Sequence, residues 1–269
     1  MDFDWSEWLN IILRWVHVFA GIMWVGQTYF FTWLDGRFTE LGRSTDGGEQ
    51  GKGLWMVHSG GFYVVEKQSK PQMLSQKLHW FKWEAAVTWL SGAGLLVLIY
   101  YAGGMLADAL YSQATSVAIG VGMIVVGWIL YDVLWNSVFA RNERLGVVVS
   151  FLLSAFAIYM LTRYFGGRTA YIHVGAMFGT IMTANVWMRI LPAQRRLVSS
   201  LQRGEQPDLE LAARAKMRSK HNTFLVVPVV FTMISNHYPT VSYGTEYGWL
   251  LLSILVLLGW IAARFLRQA

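Results

Sequence analysis

Apolar runs of about twenty residues recur along the chain, separated by charged or aromatic stretches, at 8–31, 80–102, 114–137, 145–164, 171–191, 223–237 and 246–265. A helix needs about 20 mostly apolar residues to cross the hydrocarbon core of a bilayer. The sixth run is short and carries Pro228, which a membrane helix tolerates when neighbours satisfy the freed carbonyl. The pattern predicts an all-α, polytopic integral membrane bundle of about seven transmembrane helices, with 1–269 as one domain. Tryptophans and tyrosines collect at the run ends (Trp5, Trp8, Trp33, Trp80, Tyr100, Tyr101, Tyr164, Tyr171, Tyr238, Tyr247), as an interfacial aromatic belt requires.

Composition agrees: 55% of the 269 residues are hydrophobic and only 14% are charged, against roughly 25% charged in a soluble domain. The net charge of +6 would suggest a nucleic-acid partner, but its distribution excludes one. All of the 22 basic residues except Arg14, Arg163 and Arg168 fall in the segments 34–82, 141–144, 189–220 and 264–267. By the positive-inside rule the N-terminus is out and the C-terminus in, in a multi-pass protein of the bacterial inner (cytoplasmic) membrane. The first seven residues carry Asp2, Asp4 and Glu7 and no basic residue, unlike a secretory signal, so the N-terminus reads as mature. With no cysteine, thiolate metal sites, iron–sulfur clusters and covalent CxxCH haem are all excluded.

Two inner loops stand out. In 34–79 the stretch 44–53 is Gly-rich and polar and reads as flexible, whereas 55–67 is aromatic, partly alternating and carries His58. The segment 192–220 reads as an inner-surface helix broken at Pro207. Topology sorts the six histidines into an outer group (His17, His173, His237) and an inner group (His58, His79, His221). Neutral histidine is the usual axial ligand of haem iron, which predicts haem b in the bundle. His17 lies deep in the first helix with Gly21 and Gly26 after it. Arg14, one turn outward, is placed to pair with a propionate, or else it snorkels to the headgroups. His173 on the fifth helix and His237 before a proline turn compete to be the second ligand; a cap is the plain alternative for His237.

In the inner group His79, Lys82 and Glu84 open the second helix and His221-Asn222 the sixth. With His58 they make a candidate pocket for a small polar substrate, in which histidine could serve as general base. A charged interface that anchors helix ends is the competing reading. Asp132, Asn136 and Asn185 are polar groups within apolar runs and need partners across helices.

The stretches LRWVHVFAGIMWVG (13–26), FTWLD (31–35), WMVHSGGFY (55–63), LHWFKWEA (78–85), KHN (220–222) and MISNHYP (233–239) resemble the membrane-bound, cytochrome c-linked urate oxidases. The resemblance runs from about residue 8 to 239. It implies a multi-helix membrane domain that oxidises urate and passes electrons to a cytochrome c. Family members usually continue into a further helix and a C-terminal c-type cytochrome domain, for which this chain carries no CxxCH. A separate cytochrome c or a quinone is then the expected acceptor.

The resulting expectation is that urate, or a similar planar anion, binds from the cytoplasmic side near His58, His79, Lys82, Glu84, His221 and Asn222. Haem held by His17 and His173 would relay the electrons outward. Two rivals remain: a non-catalytic haem-binding or structural subunit among partner subunits of a respiratory or photosynthetic complex, and a transporter.

Overall fold

A computed structural model describes residues 4–44, 53–68, 78–106 and 110–267. Its helices are α1 (Trp5–Ser44), α2 (Trp83–Tyr101), α3 (Gln113–Asn136), α4 (Glu143–Tyr164), α5 (Gly167–Gln202), α6 (Leu209–Ile234) and α7 (Gly248–Leu266). Six of the seven are long and apolar enough to cross a membrane. The exception is α6, whose first half is basic. Its apolar half, 223–234, is wrapped by α5 and α7, so protein replaces lipid around much of it.

Helix starts follow local chemistry. Ser112, Asn142 and Asp208 each accept a bond from a first-turn amide of α3, α4 and α6, and Asp4 does the same for α1. Such side chains satisfy amides that have no intrahelical partner. Helix α5 lies at the centre, touching α2, α3, α4 and α6. Half of its apolar window is buried, against 6% for α1, which packs mainly on α2 at the edge. The core gathers Ile158 and Leu161 of α4, Tyr171, Val174 and Phe178 of α5, Val226 of α6, and Leu252 and Val256 of α7.

Three boundaries differ from the sequence expectation. Helix α5 does not stop near 191: a π-helical turn at Asn185–Ile190 leads into Leu191–Gln202. The expected inner-surface helix over 192–220 is therefore two helix ends joined at 203–208. Finally, 55–67 is largely a β-hairpin, β1 (Leu54–His58) paired antiparallel with β2 (Gly61–Val65). Its two turn residues, Ser59 and Gly60, have φ of 50° and 76°, the left-handed pair that matches strand twist. The Gly-rich tract expected to be flexible, 44–53, falls almost wholly outside the described residues.

Candidate functional site

The inner ends of α3, α5 and α6 bring together Tyr131 and Asp132, Asn185 and Arg189, and Arg218, His221 and Asn222. The hydrogen bonds fix one another's direction. The Met182 carbonyl can only accept, so Asn222 presents Nδ2 to it (3.0 Å) and turns Oδ1 toward Asn185. Asn185 therefore donates from Nδ2, to Asn222 Oδ1 at 3.0 Å and to the Tyr131 hydroxyl at 2.9 Å. With its oxygen accepting from Asn185 and facing the Arg218 guanidinium as well, Tyr131 is placed to give its own proton to His221 Nδ1, 2.8 Å away. A neutral His221 then carries its hydrogen on Nε2.

Charge surrounds this chain of bonds. Arg218, buried, lies over the Tyr131 ring with its guanidinium 4.9 Å from the centroid and meets Asp132 Oδ1 at 3.0 Å. Arg189 grips the same carboxylate, with Nε 2.8 Å from Oδ1 and Nη2 on Oδ2. Two guanidiniums share one carboxylate, which leaves the cluster cationic. Three buried atoms in it have no hydrogen-bond partner among the described residues: Arg218 Nη1, Asn185 Oδ1 and His221 Nε2. Buried polar groups are nearly always paired, so unmet donors and an unmet acceptor mark a place for a ligand or water. The π turn begins at Asn185 itself, and such turns recur at functional sites.

The expected inner pocket is only partly assembled. His221 and Asn222 belong to the cluster. His58 sits exposed at the end of β1, beside the hairpin turn. His79 is exposed and meets Phe81 edge-on at 4.6 Å. Lys82 lies over Trp83 and Trp187, at 5.1 and 5.7 Å. Glu84 lends its backbone carbonyl to Thr88. Of the polar groups flagged in the apolar runs, Asp132 and Asn185 are central, and Asn136 donates to Asp132 Oδ2 at 3.1 Å. Sequence reasoning missed Tyr131, Arg189 and Arg218. The signal was present, since Arg218 precedes His221 and Asn222 by three and four residues and so shares their helix face.

On the outer side, His17 donates from Nδ1 to the Thr88 carbonyl (2.8 Å), with Ser91 Oγ at 3.3 Å. This is the orienting contact typical of a ligating histidine, and Nε2 has no hydrogen-bond partner among the described residues. His17 thus fits as one axial ligand of a haem. His173 has the same Nδ1 bond, to Thr169 O at 2.8 Å, but its Nε2 faces the Tyr101 hydroxyl at 3.0 Å. The ring is stacked on Phe165 and fully buried against Gly120. It meets α2 at Tyr100 and Tyr101, roughly 14–20 Å by helix rise from Ser91 and Thr88, which His17 meets. The two imidazoles do not face each other across a space for one iron. Arg14 is exposed and bonds Asn10 Oδ1 at 2.7 Å, and His237 is exposed in a 3-10 turn.

A family model described as "Urate oxidase N-terminal" matches residues 4–269. No curated protein and no solved structure matches the chain.

Proposed function

The chain belongs to the urate oxidase N-terminal family, and from that premise we propose that it is a membrane oxidoreductase of urate or a similar small planar anion. A separate cytochrome c or quinone would accept the electrons. The observation that carries this reading is the buried cationic cluster with its unpartnered Arg218 Nη1 and Asn185 Oδ1. Urate offers carbonyl oxygens and negative charge to the guanidinium and a ring N–H to the amide oxygen. A neutral apolar substrate would leave both groups unmet.

Oxidation removes two electrons and one proton from the urate anion. Tyr131 is placed to accept one proton on its oxygen while its own passes to His221 Nδ1. Haem b, carried on His17 when bound, would supply a one-electron carrier. Arg14, His173 and His237 take no part in holding it in this reading. The bacterial inner membrane is the proposed location, with the cluster at the cytoplasmic side.

The test is a visible spectrum of the purified protein with urate as reductant, together with urate consumption using ferricyanide as acceptor. Urate-driven reduction of a b-type band is expected. Asn185→Ala should lower kcat/KM for urate by about 10- to 100-fold, the scale of one lost hydrogen bond to a charged ligand. A folded, haem-bearing preparation that urate leaves oxidised would refute the reading. A second reading, an accessory subunit, is favoured by the exposed hairpin side chains Trp55, Val57 and Phe62. It predicts copurifying subunits without urate turnover.

A further inference from the structure

On the far side of His221 from the polar cluster, helices α3 to α7 enclose a cavity of about 240 Å³. Its walls are almost wholly apolar, with Met123, Met177 and Phe178 among them, and the two charged side chains on the lining, Glu143 and Lys220, are partly exposed and neutralise each other as an ion pair. An engineered apolar cavity of about 150 Å³ holds benzene, so this one has room for a substituted six-membered ring. Two buried nitrogens on its lining have no hydrogen-bond partner among the described residues, His221 Nε2 and Trp260 Nε1. The indole nitrogen can only donate, and with Tyr131 donating to Nδ1 a neutral His221 carries its hydrogen on Nε2, which makes that nitrogen a donor too. The Trp135 ring lies 4.1 Å from the His221 ring and its own N–H is already bonded to Ser150, so it adds a flat wall and no further unmet donor.

Two unmet donors in an apolar chamber select a flat, apolar molecule that carries acceptors and no charge. Lipid tails fill such a space but have no acceptor. The exposed residues on the lining include Leu130 of α3 and Phe156 of α4, on helices apolar enough to cross a membrane, so this side of the cavity faces the bilayer. Its occupant therefore arrives from the bilayer. We propose that this cavity binds the ring of a lipid-soluble quinone, its carbonyl oxygens taking bonds from His221 Nε2 and Trp260 Nε1. The binding site stands on the cavity alone; its role as electron acceptor rests on the proposed oxidation of urate. The balance then closes, because a quinone that gains the two electrons and one proton lost by the urate anion, with a second proton from water, becomes a quinol. His221 and Tyr131 belong to both places, and His221 joins them through its ring, with Nδ1 in the polar cluster and Nε2 unpartnered on the cavity lining.

The experiment is a calorimetric titration of a short-chain ubiquinone into the full chain in phosphatidylcholine nanodiscs, without urate. One saturable site per chain is expected. Trp260→Phe keeps the ring and removes the donor, and should weaken binding about tenfold, the effect of one hydrogen bond. Ala157→Phe, on the lining, should abolish binding by filling the space; the thermal midpoint of each variant reports whether it folds. Non-saturating partition into the disc, or affinity unchanged in a folded Trp260→Phe variant, overturns the proposal. Urate oxidation with ferricyanide separates the two readings. Quinone binding without urate turnover sinks the proposed function alone, and urate turnover without quinone binding sinks this site alone.

Discussion

At the residue scale, the side chains with chemical potential rest on glycines of neighbouring helices. A Cβ at Gly92 would lie 2.8 Å from His17 Cε1, one at Gly120 would lie 2.6 Å from His173 Nε2, and one at Gly146 would lie 2.8 Å from the Trp135 ring. The consequences differ, because room to yield differs. His17 is half-buried and can swing away, whereas His173 is fully enclosed by Phe165, Tyr100 and Tyr101. Gly120→Ala should therefore cost about 1–3 kcal/mol, as overpacking a tight core does. Gly92→Ala should cost under about 1 kcal/mol yet break the His17–Thr88 bond and lower the haem retained by the purified protein. Thermal melts and the haem-to-protein ratio of the two variants check this; equal stability losses would count against the distinction. The sequence singled out both histidines, since an ionisable group in an apolar run is conspicuous. It could not show which nitrogen each would leave open, because that depends on Thr88, Tyr101 and Gly120 from other helices.

At the element scale, long uncharged runs were legible and the basic ones were not. Helices α2, α3, α4 and α7 begin and end within a few residues of the hydropathy pattern. Helix α6 was seen only as its apolar half, because Leu209 to Lys220 looks like a surface helix until α5 is placed beside it. That basic half brings Arg218 to Asp132, a pair whose side chains are only 3% and 13% exposed. Removing one partner of a buried pair leaves an uncompensated charge and costs about 3–5 kcal/mol. Asp132→Asn should accordingly destabilise the bundle by that amount, and Asp132→Asn combined with Arg218→Met should recover much of it. Arg189→Ala should cost no more than about 1 kcal/mol, since its side chain is 43% exposed and solvent screens it. Detergent melts of the variants measure all three; a double variant no better than Asp132→Asn would mean the carboxylate acts through something other than Arg218. The hairpin escaped the sequence for a different reason. Its alternation is imperfect and its aromatic side chains stay exposed, so no buried face announced a strand.

At the scale of the whole molecule, α1 is the element that couples the bundle to its inner surface. Its 40 residues span about 60 Å, twice the thickness of a bilayer core. Its inner end therefore stands clear of the hydrocarbon and carries Asp35, whose carboxylate pairs with Lys216 of α6 at 2.8 Å and with Lys67 just after the hairpin. Both lysines belong to the basic set from which the positive-inside rule predicts a cytoplasmic side. One substitution can then test orientation and attachment together. Exposed ion pairs contribute about 0–1 kcal/mol each, so Asp35→Ala should leave the thermal midpoint of the bundle nearly unchanged. It should nonetheless free the hairpin segment, 53–68, for faster cleavage, because a lone two-stranded hairpin is marginal in water. Trypsin added to inverted vesicles should cut near Lys67 faster in Asp35→Ala than in wild type. Intact spheroplasts should protect the same bond in both. Cleavage from the spheroplast side would reverse the orientation read from the basic residues, and would move the cationic cluster to the outer face.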